Sequence, residues 1–334
     1  MPCSGLTLHT SDGSHLLART MDFDVNPGAK LMVIPRKWPI KPALSAEETI
    51  ESPYAQLAMG VIAGGLINSL DGVNEHGLCG AVFYYPGFAH YAGPSDGKTP
   101  LDPAIALQLA LAICKDLDEA AKMFEEKTTL VADPSPVLGI TPPLHYLLSD
   151  ASGEAMVVEP DSDGLKIHRD TVGVLTNSPD YRWQETNLRN YLAVDRDPLI
   201  PYDMEARTLK RISPNAAMWG LPGDYSSVSR FVRTANMKRF IRLPADEAEG
   251  VTTAFHALSA MDVPQVELKE GEAEVAYTMY TAVMAPISKR YYFHTYENRR
   301  VQAASLDREN LDAAELKFYA WHDGQDVCWR DCNS

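Results

Sequence analysis

The sequence predicts an α+β fold, antiparallel sheets covered by helices, on three observations. Strand-like runs and helical blocks come in groups, in the order strands, helices, strands, helices, strands. That order differs from the strict βαβα alternation that builds a doubly wound parallel sheet. Turn residues also punctuate the runs closely enough for antiparallel neighbours. With 334 residues and 45% hydrophobic composition, the chain can bury a large core, as one big domain or two smaller ones. No repeat, low-complexity tract or linker cuts it cleanly.

Gly5, Thr7 and His9 alternate with Leu6 and Leu8, the period-two signature of a strand that starts almost at the first residue. Together with HLLARTMDF it flanks the turn SDGS, so a hairpin is expected there. KLMVIPRK, AQLAMGVIA and LCGAVFYYPG continue as strands. LDPAIALQLALAICKD reads as a helix with Asp102 as N-cap and Pro103 at the first helical position; LDEAAKMFEEK reads as a second. From Leu144 the pattern returns to β: LHYLLSD, EAMVVEP and GLKIHRD are separated by ASG and DSD, which predicts a meander. SRFVRTANMKRFI and DEAEGVTTAFHALSAM read as helices, the latter with Asp246 near its start. VAYTMYTAVMAP and KRYYFHTYENR, aromatic and β-branched, close as strands.

A formal charge of −15 argues against nucleic acid or an anionic membrane as partner. The first residues lack the charged-then-apolar build of a signal peptide. AIALQLALAIC is too short to span a bilayer. The five cysteines, Cys3, Cys79, Cys114, Cys328 and Cys332, do not form a disulfide framework, and a cytoplasmic, reducing setting is expected. Cys328 and Cys332 could clip together or share a helix face, though two incidental tail cysteines is the better reading. The nine histidines show no metal-ligand spacing, so no metal is expected. No G-x-G-x-x-G follows a strand and no P-loop lysine motif occurs, so no cofactor is expected either; the serine-nucleophile motif G-x-S-x-G is absent as well. SDGK at Ser95–Lys98 matches S-x-x-K but lacks its companion motifs and reads as chance.

Cys3 remains. A buried cysteine is usually a small hydrophobe. Its position raises the alternative. If Met1 and Pro2 were removed, Cys3 would carry a thiol and a free α-amine, whose pKa of about 7.7–8.0 lets it act as base near neutral pH. Nucleophile and base would then share one residue. ARTMDF places Arg19 and Asp22 just after the first hairpin, where they can lie beside Cys3. A guanidinium there would favour the thiolate, and a carboxylate could hold the amine. A surface ion pair at a strand end is the commoner explanation of such residues.

CSGLTL, ARTMDF, DGVNEHGLCGAVFYYPG, LHYLLSD, GVLTNSPD, GLPGDYSSVSRFVR and YTMYTAVM, in this order and spacing, resemble the choloylglycine hydrolase family. These are cysteine N-terminal-nucleophile hydrolases that include bile salt hydrolases and penicillin V acylases. The resemblance runs over nearly the whole chain. It implies one domain over residues 1–334, an αββα sandwich of two antiparallel sheets between helix layers, with residues 1–2 removed. It makes Cys3 the nucleophile, with Arg19 and Asp22 its electrostatic partners. Asn177 would offer its side-chain amide to the oxyanion, Arg230 would complete the charged cluster, and the Tyr84 backbone N–H would be the other oxyanion donor. It also implies a small-molecule amide substrate and a homotetramer, with a segment at about 185–212 reaching a neighbouring subunit.

Two departures from the family bear on function. Most members begin Met-Cys; here Pro2 intervenes and must leave too. Bile salt hydrolases tend to place Asn where Tyr84 lies, whereas penicillin V acylases tend to place Tyr, whose flat ring suits stacking on an aromatic acyl group. The expected activity is therefore penicillin V acylase-like hydrolysis of a linear amide through an acyl-enzyme. Conjugated bile salts are the close alternative, with N-acyl homoserine lactones or a non-catalytic small-molecule binding role further off. Loops around 23–30, 57–66 and 135–142 would shape the pocket.

Overall fold

Two antiparallel sheets lie face to face, and helices cover both outer surfaces. The computed structural model describes residues 2–24, 27–93, 97–134, 139–194, 201–210, 218–266, 276–320, 322 and 324–330. In chain order the sheet-forming strands are β1 (Ser4–His9), β2 (His15–Phe23), β3 (Lys30–Ile34), β4 (Gln56–Ala63), β5 (Leu66–Asn74) and β6 (Cys79–Tyr84). After helices α1 (Ala106–Ile113) and α2 (Leu117–Lys122) come β7 (Leu144–Ser149), β8 (Ala155–Asp161), β9 (Gly164–His168) and β10 (Val174–Leu175). Helices α3 (Tyr181–Leu188), α4 (Ser227–Phe240) and α5 (Glu247–Ser259) precede β11 (Tyr277–Ala285), β12 (Arg290–Thr295), β13 (Gln302–Ser305) and β14 (Lys317–Phe318).

The first sheet runs β10-β1-β2-β11-β12-β13 and the second β9-β8-β7-β6-β5-β4-β3-β14. Alternation along the strands explains the layers. Leu147 and Val157 point between the sheets with Met59, Val73, Met284 and Phe293, whereas their neighbours Leu148 and Val158 turn outward onto Leu107 and Leu111 of α1. On the other side, Val251, Ala254 and Leu258 of α5 join the cluster that holds Leu16. Period two is therefore obeyed, but both faces of β1 are buried apart from its last residue, because a helix layer covers the face that alternation alone would give to water.

Gly5 illustrates how tightly the stack closes. A Cβ on Gly5 would lie 2.6 Å from Cζ of Phe83 in the opposite sheet, so only glycine lets that ring come in. Gly5 stands directly across from Arg19 in the β1–β2 register.

The expected hairpin, the 144–168 meander and the two closing strands are all present. Asp246 caps α5, its carboxylate accepting from the Glu249 N–H at 2.9 Å. Asp102 does not cap α1. Its carboxylate accepts from the Ala104 N–H at 2.8 Å and its carbonyl from the Ile105 N–H at 2.9 Å, which closes a turn around Pro103, and the helix starts only at Ala106. β5 escapes the sequence pattern because LINSLDGVN has no apolar alternation; its register slips by one residue opposite Met59 and Gly60. The expected 57–66 loop is mostly the hairpin of β4 and β5. The segment at about 185–212 begins within α3 and includes an exposed hairpin, Tyr202–Met204 with Arg207–Leu209. Residues 195–200 and 211–217 of that region, Cys332, and parts of the 23–30 and 135–142 loops (25–26 and 135–138) lie outside the described residues.

Leu17 is fully buried between the sheets while Leu243 is 55% exposed. Leu17→Ala is expected to lower the free energy of unfolding by about 2–5 kcal/mol in urea titrations. Leu243→Ala should change it by less than about 0.5 kcal/mol.

Candidate active site

The sheet stack opens between two neighbouring strands. The ladder between β5 and β6 ends at the pair Asp71 and Ala81, and beyond it the two strands diverge. The Arg19 side chain fills the base of the fork from β2. Its Nη1 donates to the Asp71 carboxylate at 2.8 Å and to the Leu70 carbonyl at 3.4 Å. Its Nη2 donates to the Val82 carbonyl at 3.3 Å and to Cys3 Sγ at 3.3 Å, and its Nε donates to the Thr20 carbonyl at 2.9 Å. All five N–H groups of the guanidinium are thus used, as a fully buried arginine requires. The Phe83 ring lies over it, 5.3 Å away, in the space that Gly5 leaves open. Burial opposes the charge, but the Tyr280, Cys3 and Asp71 groups around it outweigh that and hold Arg19 above its ordinary pKa.

Asp71 was not anticipated from the sequence, and it anchors this cluster. Its two oxygens take Arg19, the Tyr280 hydroxyl at 2.6 Å and the Tyr291 hydroxyl, which ties β5 of one sheet to β11 and β12 of the other. The available signal was a lone carboxylate in an otherwise uncharged segment, together with tyrosines in the closing strands.

Cys3, Asn177 and Arg230 meet on the far side of the thiol. The Cys3 N–H donates to Asn177 Oδ1 at 2.9 Å, and the same oxygen accepts from Arg230 Nη2 at 2.7 Å. Arg230 Nη1 donates to the Cys3 carbonyl and to Ser4 Oγ at 2.9 Å. Burial pulls the Arg230 guanidinium below its ordinary pKa, against the charges of Asp22 and Cys3. Asn177 Nδ2 spends one N–H on the Tyr84 carbonyl at 2.7 Å; the other is bonded to no group among the described residues. Tyr85 bonds the Pro143 carbonyl, so strand alternation turns Tyr84, with its N–H, away from β7 and toward the fork.

Asp22 belongs to the cluster through its backbone and neighbours. Its carbonyl accepts from the Cys3 thiol at 3.8 Å. Its carboxylate takes Thr278 Oγ1 and Thr20 Oγ1 at 3.2 Å, and the Thr20 hydroxyl in turn accepts from the Ser4 N–H at 3.1 Å. With Pro2 in place, no bond joins the Asp22 carboxylate to the Cys3 nitrogen. Burial pushes the Asp22 carboxyl up to about 6, and the opposing contributions of Thr278, Arg230 and Arg19 do not offset it. The structure therefore brings all six sequence-predicted residues to one place, and adds Asp71, Thr20, Thr278, Tyr280 and Tyr291 around them.

Beside Cys3 opens a pocket of about 120 Å³ whose walls are apolar, including Met21, Phe23, Val61, Leu70 and Leu144, with Tyr84 at its edge. Of the other thiols, Cys79 and Cys114 are buried and burial pushes their pKa values up, Cys114 to about 12. They stay protonated and inert.

Two stacked antiparallel sheets between helices, with a cysteine near the chain start facing an apolar pocket, define an N-terminal-nucleophile hydrolase fold. A family model described as linear amide C–N hydrolases, choloylglycine hydrolase family, matches residues 3–319, and the chain belongs to that family. It is 29% identical over 321 residues to a bile salt hydrolase/transferase of Clostridium perfringens (96% of this chain, 97% of the relative). It is 30% identical over 328 residues to a conjugated bile acid hydrolase of Lactobacillus gasseri (95% and 100%). A mutant of the conjugated bile acid hydrolase from Clostridium perfringens superposes with TM-score 0.89 at 28% identity, covering 98% of this chain and 100% of that one. The penicillin V acylase of Agrobacterium tumefaciens gives 0.74 at 22% identity, covering 95% and 90%, a likeness of fold. The protein is thus a linear amide hydrolase. No helix among the described residues is long and apolar enough to cross a membrane.

Two outcomes are expected from the buried charges. Asp71→Leu leaves the Arg19 cation buried without its carboxylate and should cost about 3–5 kcal/mol in urea titrations. Burial holds the Asp22 carboxyl at about 6 in the folded state, above its ordinary value, so between about pH 4 and pH 6 the folded state binds more protons than the unfolded chain, and stability falls as pH rises through that window. In protein that still carries Pro2, Asp22→Asn should remove this slope. Relative to the parent, it should gain about 2–3 kcal/mol more at pH 7 than at pH 4.

Proposed function

We propose that the chain is a cysteine amidase that matures by losing Met1 and Pro2 and hydrolyses amides of compact, apolar, aromatic acids, in the manner of a penicillin V acylase. The observation that carries this reading is the pocket beside Cys3. At about 120 Å³ it is smaller than the roughly 300–1,000 Å³ usual for drug-sized ligands, and it suits a phenoxyacetyl group better than a fused steroid. The Tyr84 ring offers a flat face at its edge.

The mechanism follows from the geometry. The thiol proton passes to the α-amine of Cys3, and Sγ attacks the substrate carbonyl carbon. Arg19 Nη2, 3.3 Å from Sγ, favours the thiolate. The developing oxyanion takes the Tyr84 N–H and the second N–H of Asn177, donors already oriented before substrate arrives. The α-ammonium returns its proton to the leaving nitrogen as the C–N bond breaks, which leaves a thioester on Cys3. The amine then deprotonates a water that attacks the thioester, releasing the acid and restoring the thiol. Asn177 Oδ1 already accepts from the Cys3 nitrogen at 2.9 Å, so it can hold the amine with its lone pair presented to thiol and substrate.

A second reading, bile salt deconjugation, is favoured by relatives of 28–30% identity that bear that name.

The test is turnover of penicillin V against glycocholate and taurocholate by protein whose intact mass confirms a free Cys3. Penicillin V should be preferred by at least about 10-fold in kcat/KM, Tyr84→Asn should shrink that ratio, and Cys3→Ala should abolish all turnover. Preference for bile salts establishes the second reading. Retention of Pro2 with no turnover of any amide would move the chain to the binding role.

A further inference from the structure

His145 is not part of the cluster around Cys3, yet it is the most fully committed histidine in the described residues. It lies on β7 opposite Phe83 of β6 and is completely buried. Tyr85 stacks on its ring, centroids 4.3 Å apart and planes 7° from parallel. Nδ1 is 2.9 Å from Glu159 Oε1, and Nε2 is 3.2 Å from the Thr176 carbonyl oxygen.

A carbonyl oxygen only accepts, so the second contact requires a proton on Nε2. Glu159 also faces donors. Both its oxygens accept from the Tyr181 N–H, at 3.1 and 3.0 Å, and His168 Nε2 lies 3.4 Å from Oε2. Burial works to raise this carboxyl, but the bonds from His145 and His168, the His145 charge and the Tyr181 N–H hold it down at about 2. Glu159 thus holds the ring by Nδ1. The opposite ring nitrogen, Nε2, is left to donate to the Thr176 carbonyl.

The far end of this pair reaches the peptide group between Thr176 and Asn177. Its carbonyl is held by His145, and its N–H donates to Ser227 Oγ at 2.9 Å. A peptide group fixed at both polar atoms cannot rotate, and its plane sets the direction in which the Asn177 side chain leaves the backbone. That side chain bonds the Cys3 N–H, Arg230 and the Tyr84 carbonyl.

We propose that His145 is a positioning residue: its ring, held by Glu159 and stacked under Tyr85, clamps the Thr176 carbonyl through Nε2–H and so aims the Asn177 amide at the reacting carbonyl. The proposal rests on the reading of Cys3 as nucleophile. The charged and titratable groups around the ring are Glu159 from β8, His168 of β9 behind that carboxylate, and Tyr85, whose hydroxyl donates to Asp161 at 2.7 Å.

The experiment compares three proteins with the parent on the substrate it turns over best. His145→Leu alone would leave Glu159 buried and unpaired, so the test variant is the double substitution His145→Leu with Glu159→Gln, whose amide oxygen still accepts from Tyr181. It should fold, keep KM within about 3-fold and lose about 10–100-fold in kcat, the cost of a misaimed group rather than of lost binding. His145→Gln, which restores a donor to Thr176, should recover most of that loss, and Glu159→Gln alone should fall between. Long-range ¹H–¹⁵N spectra of the parent, with His145 assigned by substitution, should show Nε2 protonated. A folded double variant with unchanged kcat overturns the proposal, and so does an Nε2 of His145 that carries no proton, whether or not any variant folds. Turnover surviving in Cys3→Ala would instead remove the Cys3 reading, and this positioning role with it.

Discussion

The structure depends on a cation it cannot hydrate. Arg19 is placed where β5 and β6 part, with all five N–H groups bonded and Asp71 as its counter-charge. A buried guanidinium left short of partners would cost several kcal/mol, so every group that satisfies it is constrained in turn. Leu70 and Val82 must present carbonyls to the fork, which fixes how far the two strands open. Asp71 must face inward, and its second role as acceptor for Tyr280 and Tyr291 fixes the two sheets relative to each other. The pocket is the remainder of that fork, and the thiol that lines it is the one nucleophilic sulfur among the bonding partners of Arg19.

Two features show how closely the surrounding packing serves that arrangement. Phe83 covers the guanidinium because Gly5 has no side chain to exclude it. Asn177 lies on the loop between β10 and α3 and is held from three directions: Ser227 at the start of α4, His145 through Thr176, and its own side-chain bonds. Order in the cluster is thus supplied by hydrogen bonds from four separate stretches of chain. This is the kind of preorganisation that electrostatic stabilisation of an oxyanion requires.

Much of this was legible in the sequence, and what was not has physical reasons. Alternation and turn residues located most strands, because period two and Gly/Asp turns are local properties. β5 was missed because its apolar rhythm is broken by the residues that make it functional: Asp71 for the ion pair, Gly72 packed against Ala58, and a bulge beside Gly60. The start of α1 was misplaced because Asp102 and Pro103 favour a turn and a helix N-terminus alike. For the site, the chemistry of Cys3, Arg19 and Asp22 could be argued from proximity along one hairpin. Asn177, Arg230 and Tyr84 could be named only through family resemblance, since nothing local marks an asparagine before Ser-Pro or an arginine in a first helical turn. Asp71 and His145 act through partners far away in sequence, and no local pattern reports such pairs.

The Cys3 nitrogen connects this geometry to maturation. While Pro2 is attached, that nitrogen is an amide whose N–H lies against Asn177 Oδ1, the oxygen that Arg230 also engages. An amide N–H and an amine N–H make the same bond, so loss of Pro2 would leave the acceptor satisfied and the backbone where it is. What changes is charge and basicity. A new amine, protonated in part at neutral pH, would appear within a cluster that already holds two buried guanidinium groups against Asp71 and Asp22. Like charges lower the pKa of an amine and so increase its basic fraction at neutral pH. The same new charge would draw the Asp22 carboxyl down from about 6 toward full ionisation. Processing would therefore create the base and tune it in one step, using charges that the fold had already buried around Arg19.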